Sequence, residues 1–423
     1  MLLKIKRVEE RQGDITVSGS KNSAIPILCA AMLSNDEVII ENVPDITDIN
    51  TLLSIIQKIG YFVTFENNVV VMKKKRFIKS TIKDEDVKKM RGSYYIMGTL
   101  LAKRHKVIIA SSGGCDLGFR PINYHLDGFK KMGAKVSQKD NYIHVKAFSL
   151  KPCTIDLEFP SVGATINLML ASCKTMGKTT ISNCAKEPEI VDVANFLNTM
   201  GANITGAGTK VITIHGVKKL YGTTYKVVSD RIEAGTYLIL GALLNGAIIR
   251  EINPQHISSL ITVLKNCGYP IYNNSNTITI EKRKSTKPFN VTIGPYPAFP
   301  TDLGQPISVL ATQIEGNSIL KETIFKKRIA HIDELNKMGA KIMLSNDNII
   351  INGVTPISPS TIYANDLRGG AALVLASCLT NDFSYINNID VFLRGYEKPI
   401  EKLASFGIES YLVEQEDGKE NIF

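Results

Sequence analysis

The sequence predicts an α/β protein made of six repeated units that group as two domains of three. Three observations predict it. First, a short phrase recurs as QKIGYFV, KKMGAKV, NTMGANI, KNCGYPI, NKMGAKI and ASFGIES. Its glycines, Gly60, Gly133, Gly201, Gly268, Gly339 and Gly407, are spaced by 73, 68, 67, 71 and 68 residues. Second, Lys21, Arg91, Ser161, Arg231, Asp302 and Arg368 open a second set of similar segments at steps of 70, 70, 70, 71 and 66. Third, a β-branched stretch such as EVIIENV, KTTISNC or AIIREIN lies between the two in each copy. Self-similarity at one period marks a repeat architecture.

Within a unit, the first helix comes from segments such as SKNSAIPILCAAML, SVGATINLMLASC and DLRGGAALVLASC. Each opens after a small or polar residue and runs into Ala- and Leu-rich sequence, the pattern of a capped helix. The β-branched stretch that follows reads as a strand. Next, runs such as DITDINTLLSIIQKIG place apolar residues three and four apart, so a second helix has one apolar face. The recurring glycine ends it in a left-handed cap, and further strands follow. A unit of roughly 70 residues buries too little surface to be stable alone. Three and three is the natural grouping, with a boundary near residues 229 and 230.

Composition narrows the function. The chain of 423 residues is 44% hydrophobic and 21% charged with seven cysteines, which excludes a disordered tail and a disulfide-stapled miniprotein. The longest nearly apolar stretch, Tyr237–Ile249, is short of the roughly 20 residues of a membrane span. The N-terminus is charged where a signal peptide needs an apolar run, so the expected location is the cytoplasm. No cysteine or histidine spacing matches a metal site, and no P-loop or strand-linked GxGxxG is present. Residues 1 to 229 hold 32 Lys+Arg against 20 Asp+Glu, and the remainder 18 against 20. The surplus reads either as an anion-handling half or as a lysine-rich solvated surface.

Helix N-termini packed to face one way would form a cluster of free N–H groups suited to anions. The segment SSGGCDLGFRPINYH between strand and helix of the second unit is glycine-rich, with Cys115 near Arg120. It reads as a reactive thiol or as a cysteine buried in a tight turn. Asp302, in FPTD, is a catalytic carboxylate or a first-turn acid satisfying backbone amides. Arg91, Arg231, Arg328, Arg368 and Arg394 are site cations or surface ion pairs. His125 and His331 read as structural.

At SKNSAIPIL, GGCDLGFRP, SVGAT, FPTD, DLRGGAALVLASC and RGYEKPIEKL the chain resembles the UDP-N-acetylglucosamine 1-carboxyvinyltransferase family of enolpyruvyl transferases, from about residue 1 to 412. The resemblance implies a two-domain inside-out α/β barrel, with residues 21–229 as the first domain, carrying the Cys115 loop, and 1–20 plus 230–423 as the second. It implies transfer of the enolpyruvyl group of phosphoenolpyruvate to the 3′-hydroxyl of UDP-N-acetylglucosamine with release of phosphate, the first committed step of peptidoglycan synthesis. It implies no metal or organic cofactor. A monomer with no nucleic-acid partner and no membrane partner is expected. By the same resemblance Cys115 is the proton donor and the residue that fosfomycin alkylates, and Asp302 is the carboxylate near the sugar hydroxyl. Lys21, Arg120 and Arg394 match phosphoenolpyruvate contacts, with Asn22, Arg328 and Arg368 beside them. Arg91, Arg120, Pro121, Ile122, Asn123, Tyr124, Ser161, Val162, Gly163 and the main chain at Ile324 match nucleotide contacts.

The chain departs from the family pattern in three places. IFKKR, with Lys326 and Lys327, replaces VFENR; FPTDLGQP replaces FPTDMQAQ; and Asn123 stands where Asp is usual. The competing readings are a divergent or silent paralogue, a 5-enolpyruvylshikimate-3-phosphate synthase-like transferase, and an RNA-acting protein of related fold. The GGC loop and the RPxxxH phrase argue against the shikimate enzyme, and dispersed basic residues without an RNP-like aromatic phrase argue against RNA.

Overall fold

The computed structural model describes residues 1–83, 87, 90–111, 122–283, 286–416 and 419–422. The chain divides into two compact units, Gly19–Val228 and Met1–Ser18 with Ser229–Phe423. Among the described residues each unit holds three small sheets, of four strands in five cases and five in the sixth. No described helix is long and apolar enough to cross a membrane.

One pattern recurs in the sheets. A parallel pair is joined through a helix and then extended by an antiparallel hairpin, as in Thr154–Asp156, Gly177–Ser182, Val211–Gly216 and Asn203–Thr205. The six inner helices are Lys21–Ala31, Tyr95–Arg104, Val162–Ser172, Arg231–Leu243, Gly304–Thr312 and Leu367–Ser377; four lie inside such a crossover, whereas Lys21–Ala31 and Arg231–Leu243 lead into Val38–Glu41 and Ala247–Arg250, whose parallel partners, Thr224–Lys226 and Gly13–Thr16, come from distant parts of the chain. They are almost wholly buried, which is why their sequences are apolar and small all round rather than striped. The second helix of each repeat, such as Thr47–Ile59 or Pro188–Thr199, is amphipathic and covers the core. All six repeat glycines have positive φ, from 77° at Gly407 to 129° at Gly60, a conformation that costs other residues strain.

Ser20, Ser161, Asp230 and Asp366 cap four inner helices by accepting backbone N–H bonds. The other two differ from the expected simple openings. Arg91–Tyr94 and Thr301–Leu303 are 3₁₀ turns that lead into the α-helices, and neither Met90 nor Pro300 makes a side-chain cap. Pro306 is the third residue of Gly304–Thr312, in the first turn, where its missing N–H has no helical partner to lose. Gly304 allows that turn to approach Ile293, whose Cδ1 would lie 2.6 Å from an added Cβ.

Candidate active site

In the unit Gly19–Val228, Lys21 and Asn22 open the first inner helix, directly after the Ser20 cap. The Lys21 Nζ lies 2.6 Å from Asp48 Oδ2, with both side chains mostly buried. Arg91 begins its 3₁₀ turn beside that helix, since Gly92 packs so closely on Ile25 that an added Cβ would sit 2.8 Å from Ile25 Cγ2. Asn123 and Tyr124 open the helix Asn123–Lys131, with Ile122 just before it. Ser161 caps the helix Val162–Ser172, and an added Cβ at Gly163 would lie 3.0 Å from the His125 ring. The stretch 122–124 and the stretch 161–163 therefore come together. Cys115, Arg120 and Pro121 lie outside the described residues.

A residue that sequence reading missed organises this region. Asn167, buried in the helix Val162–Ser172, accepts from the Gly98 N–H at 2.8 Å. Its Nδ2 donates to Tyr94 O at 2.8 Å and to His125 Nδ1 at 2.9 Å. It thus fixes the Arg91 turn against the helix that carries Asn123 and Tyr124. Burial, with the Arg91 charge nearby, pushes the His125 ring down to about 3, so it is neutral.

In the other unit the centre is Asp302. Its Oδ1 accepts from Arg328 Nη1 at 2.7 Å and its Oδ2 from Arg368 Nη2 at 3.1 Å. Both arginines are buried, while about a quarter of the Asp302 side chain is exposed (24%). Burial alone would raise the carboxyl, but the Arg368 and Arg328 guanidiniums outweigh it, Arg231 adds to them, and Asp302 sits well below the usual carboxylate range. Arg368 Nη1 donates to Tyr396 OH at 3.2 Å, and that hydroxyl is 2.8 Å from Thr236 Oγ1. Arg328 Nη1 also donates to Thr301 Oγ1 at 3.0 Å. Glu322 holds the neighbouring loop: it accepts the Thr301 hydroxyl at 2.6 Å and the N–H groups of Ile324 and Phe325 at 2.7 and 3.0 Å. Arg394 follows the short helix Asp390–Leu393 and is half-buried.

His331 follows Arg328 by three residues. Its Nδ1 is 3.4 Å from Gln305 Nε2, which also donates to Asp366 Oδ2 at 3.2 Å. Burial pushes His331 down to about 4, Asp366 opposing and Arg328 assisting. Lys326 pairs with Asp347 at 2.9 Å and Lys327 is exposed, so neither side chain takes part in the Asp302 cluster. Chemically, the arrangement offers an ionised carboxylate to a hydroxyl and several guanidiniums to an anion. Among the described residues no group of His, Cys, Asp and Glu could hold a metal.

Comparison with known proteins agrees with this architecture. Residues 5–403 match the family model of EPSP synthase (3-phosphoshikimate 1-carboxyvinyltransferase). The chain is 42% identical over 396 residues to UDP-N-acetylglucosamine 1-carboxyvinyltransferase 2 of Listeria monocytogenes, covering 93% of this chain and 94% of that one. It is also 42% identical to the UDP-N-acetylglucosamine 1-carboxyvinyltransferase of Halothermothrix orenii, over 96% and 98% of the two chains. Among solved structures, the enolpyruvyl transferase NikO from Streptomyces tendae shares the fold with a TM-score of 0.87 at 23% identity, over 97% of this chain and 98% of that one. EPSP synthase from Acinetobacter baumannii does so with a TM-score of 0.74 at 18% identity, over 97% and 100%. With six repeats around buried inner helices and this degree of identity over nearly its whole length, the chain belongs to the enolpyruvyl transferase family, among the UDP-N-acetylglucosamine 1-carboxyvinyltransferases.

Proposed function

We propose that the protein transfers the enolpyruvyl group of phosphoenolpyruvate to the 3′-hydroxyl of UDP-N-acetylglucosamine, releasing phosphate, in peptidoglycan synthesis. The observation that carries this reading is the Asp302 carboxylate, kept ionised by Arg328 and Arg368 in a chain whose relatives carry that name. Addition across the enol double bond needs a proton delivered to the methylene carbon and one taken from the attacking hydroxyl. Asp302 receives the hydroxyl proton and Cys115 supplies the other; phosphate then leaves the saturated adduct as its methyl group gives up a proton, which restores the double bond. Lys21, Arg120 and Arg394 hold phosphate and carboxylate, with Asn22, Arg328 and Arg368 beside them. Arg91, the stretch 120–124, Ser161, Val162, Gly163 and Ile324 hold the nucleotide sugar. The enzyme works as a cytoplasmic monomer on these two substrates.

A carboxylate held so low is a weak base. Anionic substrate groups that draw Arg328 and Arg368 toward themselves loosen the clamp and restore basicity to Asp302 as the hydroxyl arrives. The test is phosphate release from phosphoenolpyruvate with UDP-N-acetylglucosamine, run beside shikimate 3-phosphate as acceptor. Release with the nucleotide sugar alone is expected, and loss of turnover in Cys115→Ser. Release with shikimate 3-phosphate, or with neither acceptor, overturns the reading.

A further inference from the structure

We propose that Gln305 is a positioning residue for Asp302, tying together the two elements that supply its arginines; this rests on the function proposed above. Arg328 comes from the segment entering the helix His331–Lys337, and Arg368 is the second residue of Leu367–Ser377. Gln305 is 2% exposed and its carboxamide reaches both elements. Nε2 donates to Asp366 Oδ2 at 3.2 Å and to His331 Nδ1 at 3.4 Å. The other Asp366 oxygen accepts the N–H groups of Arg368 and Gly369 at 2.9 and 3.1 Å. One amide is therefore fastened to the cap of the helix that bears Arg368 and to the ring just beyond Arg328. A shift of either element moves a guanidinium on Asp302.

Both N–H groups of the carboxamide are used, so His331 must present a lone pair at Nδ1 and carry its hydrogen on Nε2, which is buried without a hydrogen-bond partner, as is the Gln305 Oε1. The amide cannot be reversed without setting its oxygen against the Asp366 carboxylate. The same device occurs in the other unit. His125 and His331 both stand eight residues before the repeat glycine, Gly133 and Gly339. His125 Nδ1 is held by the Asn167 amide, which also grips the turn that bears Arg91. In the FPTDLGQP departure Gln305 stands where FPTDMQAQ has Ala, so this fastening is a feature of this chain and not of the family pattern.

Gln305→Met keeps the size and removes both donors. It should lower kcat at least about tenfold, while affinity for UDP-N-acetylglucosamine stays within about threefold and the melting temperature moves by only a few degrees. Gln305→Glu sets a carboxylate against His331, which already faces Asp366 and Arg328. It should raise the titration midpoint of the His331 ring, followed by NMR of its Cε1 proton, by about one pH unit or more. Wild-type kcat in Gln305→Met, or an unmoved His331 titration in Gln305→Glu, overturns the positioning role. Asp302→Asn and the wild type, measured alongside, separate the claims: if Asp302→Asn is inactive while Gln305→Met is not, only the positioning role falls; wild-type turnover in Asp302→Asn removes the role of Asp302 as base, and no turnover in the wild type removes the proposed function.

Discussion

His125 and His331 are buried and neutral, and this gives the fold a definite response to acid. The folded rings titrate at about 3 and about 4, against an ordinary value of 6.5. Between those values the unfolded chain binds protons that the folded chain refuses, so stability rises with pH across this window and is lost as pH falls through it. Asp302 acts in the same direction at lower pH: its carboxyl is depressed, so its contribution is present above the ordinary carboxylate range and fades in strong acid. The expected outcome is a fall in melting temperature from pH 7 to 4.5, with a shallower slope in His125→Gln. Equal slopes by calorimetry would show that His125 is not a source of the effect. The residue types at Asp302, Arg328 and Arg368 are legible in the sequence, but their pairing is not, because the partners are 26 and 66 residues apart. Asn167 gives no signal at all, and Gln305 is marked only by lying within the FPTDLGQP departure, which says nothing of its contacts. A single amide within a buried helix has no pattern, and the partners, His125 for Asn167 and His331 for Gln305, are 42 and 26 residues away.

At the scale of the element, the inner helices are legible because burial on every side leaves a uniform apolar composition, repeated at a constant step. What the sequence does not reveal is how closely they approach. Gly98, on Tyr95–Arg104, meets the helix Val162–Ser172 so tightly that an added Cβ would lie 2.3 Å from Asn167 O and 2.6 Å from its Oδ1. Gly128 is equally tight at 2.3 Å, but against the end of the Leu168 side chain. Backbone cannot yield as a side chain can. Gly98→Ala should therefore cost on the order of 3 kcal/mol in urea unfolding, and Gly128→Ala less. Gly98→Ala should also disturb Arg91 and His125, because the Asn167 amide that it displaces holds both Tyr94 and His125. A Gly98→Ala protein as stable as wild type would mean that the two helices separate at little cost. The two 3₁₀ openings escaped prediction because Met90 and Pro300 have no side-chain oxygen with which to cap, and their carbonyls instead accept from the Ser93 and Leu303 N–H groups, closing the turn before each helix.

For the molecule as a whole, the two units differ in how their strands are supplied. Gly19–Val228 is continuous and contains every strand of its three sheets, with Thr224–Lys226 returning to pair in parallel with Val38–Glu41. The other unit depends on residues 1–18. Leu2–Arg7 is an interior strand, antiparallel to both Ser384–Asn387 and Ile408–Glu416, and Gly13–Thr16 pairs in parallel with Ala247–Arg250. Leu2, Leu3, Ile5, Ile15 and Val17 are each at most 7% exposed. At roughly 1.5–3 kcal/mol apiece their burial sums to about 8–15 kcal/mol, comparable with the whole stability of a typical domain. A fragment of residues 19–228 should therefore fold cooperatively, and a fragment of residues 229–423 should not. Restoring the missing strands should rescue the second fragment, and the geometry makes this simple. The Asp230 N–H donates to Ser18 O at 2.8 Å, so residues 1–18 can be joined to Ser229 through one or two glycines. Circular dichroism with urea titration of the three proteins checks the claim: a cooperative transition in the 229–423 fragment without residues 1–18 would show that its sheets do not need the N-terminal strands.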